Sequence, residues 1–244
     1  AGIEHACGMT VQRNTVCWGY NQWGQFGAGH NRYVEGPQAA ASGLALNIVE
    51  AGDSFSCGLT SGGAAHCWGS NGLGQLGDGQ RPSYGNTYTM APSPVTGGLQ
   101  FASLSLGSQY ACGVAYDGSG YCWGRNGGRF GNGNTSDQSA PTAVTGGHKF
   151  RAISAGFNHT CGVTTSEVGY CYAPARAIGT AKVADVRVSG IGTGSSSFTC
   201  AISKDRLTTW CWGRNDFGQL GNGTRGTAET VNASASIVVG QKPL

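Results

Sequence analysis

The sequence predicts an all-β fold assembled from five repeats. Three observations carry that expectation: one phrase recurs along the chain, cysteines pair at a common offset beside it, and glycine is abundant where charge is scarce. The cleanest copy of the phrase is Cys67-Trp68-Gly69-Ser70-Asn71-Gly72-Leu73-Gly74-Gln75-Leu76-Gly77-Asp78-Gly79. Residues 17–29 and 211–223 keep it in register, and residues 122–133 repeat it with one residue lost. After Cys171 the phrase is replaced by Tyr172-Ala173-Pro174-Ala175-Arg176. A fixed phrase at a fixed period marks a repeat architecture. Glycine supplies 44 of 244 residues and charged residues only 11%. Each glycine costs a helix ~1 kcal/mol relative to alanine, so turn-rich β-structure is the better fit.

Each repeat opens with a short strand ending near glycine, as in Ile48-Val49-Glu50-Ala51-Gly52, Leu104-Ser105-Leu106-Gly107 and Ile153-Ser154-Ala155-Gly156. A cysteine follows, at 7, 57, 112, 161 and 200, spaced by 50, 55, 49 and 39 residues. The short last interval coincides with the missing phrase, so the fourth repeat is expected to have lost a loop. That loss should break the symmetry of the fold. The chain begins at Ala1-Gly2, which aligns with Ala51-Gly52, so the first repeat has no leading strand of its own. Residues 234–240 look like that strand. They are expected to join the sheet of the first hairpin and close residues 1–244 into a single domain.

Between the paired cysteines lie turn signals such as Ser61-Gly62-Gly63 and Asp117-Gly118-Ser119-Gly120, the mark of β-hairpins. Cysteines equidistant from such a turn face each other across two antiparallel strands, with Cβ atoms ~4.5–5.5 Å apart. The expected disulfides are Cys7–Cys17, Cys57–Cys67, Cys112–Cys122, Cys161–Cys171 and Cys200–Cys211. Each closes a loop of about eleven residues and contributes up to ~2–3 kcal/mol. Zinc sites use shorter cysteine spacing, and an even count in matched pairs points to an oxidising compartment. Ala1 is read as a mature end left by signal cleavage. The expected location is therefore extracellular or at the cell surface.

The variable connectors are the expected binding elements, because loops on a rigid scaffold carry recognition. Residues 30–43 hold Tyr33, and residues 80–98 hold Arg81, Tyr84 and Tyr88. Trp18, Trp68, Trp123 and Trp212 recur at one phrase position, with Tyr172 in the fourth repeat, and are expected in the core. Trp23 and Trp210 break that pattern and join the binding candidates. The phrase asparagines and glutamines are expected to satisfy backbone groups inside an irregular loop. Four glycosylation sequons start at Asn134, Asn158, Asn222 and Asn232, as surface sites would.

These residues resemble the regulator of chromosome condensation repeat family, whose signature is similar to Trp-Gly-x-Asn-x-x-Gly-Gln-Leu-Gly-x-Gly. The resemblance covers the chain end to end, strongly in four phrases and weakly over 171–195. It implies a β-propeller of four-stranded antiparallel blades, here five-bladed where family members are commonly seven-bladed. The hairpin cysteines are a second departure and look like the secreted bacterial version of the repeat. A propeller-type β-lactamase inhibitory protein is a distant likeness within that group. It implies that the scaffold can bind proteins.

Chemistry is sparsely represented. The five histidines form no metal-binding pair, the Asp and Glu residues form no calcium loop, and no nucleophile elbow is present. No catalytic residue, metal or cofactor is expected. His5 and His159 stand just before a first cysteine and read as strand-end structure. Net charge is +3 without a basic run, unlike the basic stripe of a nucleic-acid binder. No apolar run approaches the ~20 residues of a membrane span. The expected function is a non-catalytic extracellular scaffold whose loops recognise a protein or a glycan. A structural subunit that binds copies of itself in a filament or surface layer is the alternative. An enzyme with a central-pocket site is the third reading.

Overall fold

The computed structural model describes residues 1–41, 43–82, 87–144, 146–172, 176–189, 198–203, 209–213, 215–221, 223–225 and 236–237. Every regular element among them is a β-strand. The first sheet is β1 (His5–Met9), β2 (Thr15–Gly19) and β3 (Val34–Ala39). The second is β4 (Ile48–Ala51), β5 (Phe55–Leu59), β6 (Ala65–Ser70) and β7 (Tyr88–Pro94). The third is β8 (Phe101–Leu106), β9 (Tyr110–Ala115), β10 (Gly120–Gly124) and β11 (Gln138–Ala143). All are antiparallel meanders in chain order. The fold is a β-propeller in which each of these three sheets is one blade.

The middle two strands of each blade are the predicted hairpin. Cys7 pairs with Cys17 across β1–β2, and Cys57 with Cys67 across β5–β6. Every one of these cysteine pairs is a disulfide, as are Cys112–Cys122, Cys161–Cys171 and Cys200–Cys211. Non-reducing peptide mapping should return these five within-repeat pairs; a cross-repeat peptide would contradict the hairpin register.

The last two repeats share one sheet. It runs β12 (Phe150–Ala155), β13 (Thr160–Thr164), β14 (Val168–Tyr172), β15 (Arg176–Ser189), β16 (Phe198–Ser203), β17 (Thr209–Gly213) and β18 (Ser236–Ile237). The 14-residue β15 pairs with β14 through its first half and with β16 through its second. It is therefore the outer strand of the fourth blade and the inner strand of the fifth. The eroded phrase explains this. With no glycine loop after Cys171, Arg176 already faces Cys171.

The C-terminal strand differs from its expected place. Ser236–Ile237 pairs with β17, not with the first hairpin, and Ser236 stands opposite Cys211. Register gives the reason. In the other blades the second cysteine faces an outer-strand residue: Cys17 faces Gln38, Cys67 faces Ser93 and Cys122 faces Thr142. Ser236 holds that same register, so this run is an outer strand whose small, β-branched composition resembles an inner one. Among the described residues β1 consequently has no inner neighbour.

The cores lie inside and between blades. Phe55, Leu59, Leu76, Phe101, Leu104 and Trp123 form one buried cluster across the second and third blades. Tyr110, Phe130, Phe150, Ile153 and Tyr172 form the next, across the third and fourth.

Candidate protein-binding face

The phrase loops are built by their own polar side chains. Asn71 Oδ1 accepts from Leu76 N at 3.1 Å, and Gln75 Oε1 accepts from Leu73 N at 2.9 Å. Asn21 and Gln25 do the same for Phe26 N and Trp23 N, both at 2.9 Å. Asn215 and Gln219 repeat it for Leu220 N and Phe217 N at 3.0 and 2.8 Å. The Asn and Gln side chains thus pin backbone donors that no strand reaches, and the loop is rigid without regular structure.

The same loops join blade to blade. Trp68 Nε1 donates to the Gln25 carbonyl at 2.6 Å, and Trp123 Nε1 donates to the Gln75 carbonyl at 3.1 Å. Gly27 and Gly77 lie flat against the two indoles. A Cβ on either would fall within 2.9 and 2.7 Å of ring atoms, which only glycine avoids. On its outer side each loop meets the next blade's outer strand. Gly29 N donates to Met90 O and Gly79 N to Ser139 O, both at 2.8 Å.

Topology places the phrase loops, the inner-strand turns and the starts of the outer strands at one end of the blades. The hairpin turns lie at the other. Trp23 is 40% exposed at the loop end and meets Tyr88 edge-to-face, with ring centroids 6.0 Å apart. Tyr33, 64% exposed, precedes β3 at that same end. Arg81 is an inter-blade brace rather than a free cation. Its guanidinium pairs with Asp137 at 2.8 Å, and the other Asp137 oxygen accepts from Asn126 N at 3.0 Å. Tyr84 and the Trp210 side chain lie outside the described residues, as do Asn222 and Asn232. Asn134 is exposed at the loop end, and Asn158 is half-buried beside His159.

Sequence reading missed Phe217, which is 72% exposed. It occupies the same phrase position as Trp23 and Leu73, and aligning those positions would have found it. Tyr116 and Val11, also exposed, sit on hairpin turns at the opposite end. A shallow cleft of about 350 Å³ lies there too, lined by Met9, Thr10, Arg13 and Asn47.

The two strand-end histidines are blade joints. His5 Nε2 is 2.8 Å from Ser56 Oγ, which donates to Gln25 O, and His159 Nε2 is 2.7 Å from Thr199 Oγ1. Burial pulls both imidazoles down to about 4, helped at His159 by the Arg129 guanidinium. Arg129 stands where other phrases carry glutamine, half over the Tyr110 ring at 5.9 Å. Burial pushes Asp53 up to about 6, against a hydrogen bond from Ser108. Among the described residues no three His, Cys, Asp or Glu side chains cluster as a metal ion requires.

Blades locked by hairpin disulfides and tied to their neighbours by phrase loops, or between the fourth and fifth by a shared strand, define a β-propeller of cysteine-braced repeats. Residues 48–75 and 117–163 each match the regulator of chromosome condensation (RCC1) repeat profile. No curated protein sequence matches the chain. Among solved structures, human WBSCR16 superposes with a TM-score of 0.78 at 18% identity, over 97% of this chain and 65% of that one. Yeast RCC1 (Prp20), crystallised bound to Kap60, gives a TM-score of 0.66 at 18% identity, over 84% and 54%. The receptor kinase CR4 ectodomain of Physcomitrella patens gives 0.57 at 22% identity, over 87% and 48%. The chain spans less than two thirds of each of these proteins.

Proposed function

We propose that this chain is an extracellular, non-catalytic scaffold that binds a protein partner through its phrase-loop end. One observation carries the reading. Trp23, edge-to-face with Tyr88, stands exposed at the phrase-loop end of a braced framework, and Tyr33 and Phe217 are exposed at that same end of their own repeats. Large, rigid aromatic side chains with few torsions to fix are the residues that dominate protein interfaces. The rigidity of the loops beneath them lowers the ordering cost of binding. Five disulfides favour an oxidising compartment. Relatives of this fold support a binding role by analogy: yeast Prp20 was crystallised with Kap60 and studied for binding to Gsp1p and histones.

The test is affinity capture from the chain's own extracellular medium, followed by titration of the captured protein. Trp23→Ala and Phe217→Ala should each weaken binding about tenfold or more, while Val11→Ser at the opposite end leaves it unchanged. Equal losses from both ends would remove the loop end as the site. Capture of an oligosaccharide alone would replace the protein with a glycan.

A further inference from the structure

The third phrase loop is built to a different plan from the other three. In those, the phrase asparagine accepts from the backbone N–H five residues on: Asn21 from Phe26, Asn71 from Leu76 and Asn215 from Leu220. Asn126 accepts from Phe130, four residues on, at 3.2 Å. The residue dropped is the one that stands elsewhere as Trp23, Leu73 or Phe217. Its N–H is the donor that the phrase glutamine binds in those loops. With that N–H gone the glutamine has no task, and Arg129 occupies its position.

Arg129 is not needed to hold the loop. Its Nη1 donates to Asn126 O at 2.7 Å, but that carbonyl already accepts from the Arg129 backbone N–H at 2.9 Å. Its Cζ stands over the Tyr110 ring at 5.9 Å, a contact that uses the charge and none of the N–H donors. Nε is buried with no acceptor, and among the described residues nothing accepts from Nη2. Nε and Nη2 form the side edge of the guanidinium, the fork that meets both oxygens of a carboxylate. The side chain is 9% exposed, and a buried, charged donor left unmet is costly.

The charge around it is unbalanced too. Arg125 is exposed, bonds the neutral Gln109 Oε1 at 2.8 Å, and adds its positive charge to the field at Arg129. The carboxylate whose charge reaches Arg129 is Asp137, and both its oxygens are used, one by Arg81 at 2.8 Å and one by Asn126 N at 3.0 Å. Among the described residues neither Arg125 nor Arg129 has a carboxylate within 4 Å.

We propose that the third phrase loop is a carboxylate site, in which Arg129 meets both oxygens on its Nε–Nη2 edge and Arg125 supplies the second positive charge. A planar fork selects a carboxylate over a spherical halide. The carboxylate is an aspartate or glutamate side chain of the protein partner, a step that rests on reading the phrase-loop end as the binding face.

Nitrogen-15 spectra of the full chain read the arginine Nε–H groups, with acetate as the probe at an ionic strength held constant with chloride. The Arg129 resonance should shift saturably, while that of Arg81, already paired with Asp137, stays in place. An Arg129 resonance that ignores acetate, or moves as far with chloride or inorganic phosphate, overturns the site. Against the captured partner, Arg129→Lys keeps the charge, loses the fork and should cost about tenfold or more in affinity. Arg125→Gln, at an exposed position that folding tolerates, should weaken acetate and partner in parallel. If acetate shifts Arg129 but both variants bind the partner like wild type, the assignment to a partner side chain is overturned. If instead Trp23→Ala and Phe217→Ala leave the partner bound while acetate still shifts Arg129, the aromatic face is overturned and the carboxylate site is upheld.

Discussion

Replacing Trp123 with alanine should lower the unfolding free energy by about 3–5 kcal/mol, the range for truncating a fully buried large aromatic side chain. Three losses add up at this position. The ring has no exposed surface and packs against Phe101 with centroids 5.6 Å apart. Its Nε1 bond to Gln75 O disappears and leaves that carbonyl under the blade joint. Finally, Gly77 loses the ring against which its loop lies flat. Trp18→Ala, at the same phrase position, should cost only about 1–2 kcal/mol, because part of that indole is already in water. Urea titrations of the two variants side by side check this. Equal losses would mean that loop seating adds nothing to the indole's contribution.

Acid should loosen the same joints. His5 and His159 have folded pKa values of about 4 against an unfolded 6.5. Between those values the unfolded chain binds more protons than the folded one, so stability rises with pH across the window. The contribution of each histidine is complete above about 6.5 and is lost as the pH falls towards about 4. At 1.36 kcal/mol per pKa unit the loss reaches roughly 3 kcal/mol for each. Asp53 works in the opposite direction. Its raised pKa of about 6 makes the folded state the better proton binder between 3.8 and 6, so acidification partly offsets the histidine loss. Denaturant midpoints measured at pH 7, 5.5 and 4 should fall overall. His159→Gln, which keeps a donor towards Thr199 and cannot titrate, should flatten the slope. A midpoint independent of pH, or a slope unchanged in that variant, would show that these imidazoles are not held neutral by burial.

What the sequence made legible was local. A hairpin turn fixes which two cysteines face each other, so the pairing at 7–17 and its counterparts could be read from spacing and turn chemistry. The phrase was legible as structural because its Asn and Gln recur beside glycines that demand positive φ. The joint between blades was not legible. The bond from Trp68 to Gln25 spans 43 residues, and nothing in the phrase says that its tryptophan serves the loop of the preceding repeat. Trp18 illustrates the cost, since repetition placed it in the core and it stands 36% exposed. The strand at 236–237 was misplaced for a related reason. Inner and outer strands share small and β-branched residues, and only their register to the second cysteine distinguishes them. Exposure of the side chains at the loop end was legible in part. Trp23 stood out by breaking the repeat, Phe217 did not, and Arg81 was taken up by an ion pair with a carboxylate 56 residues away.

The single strand that serves two blades gives the molecule an uneven response to force. Where blades are separate sheets, a pull along the chain can peel one from the next by opening a loop joint, and the hairpin disulfides hold each crosslinked loop at fixed length. Between the fourth and fifth blades the boundary is continuous backbone, laddered on both sides by β14 and β16. Shearing them apart requires breaking a strand pairing rather than sliding a loop off an indole. Under tension the first three blades should yield in small, separate steps, and the last two should give way together at a higher load.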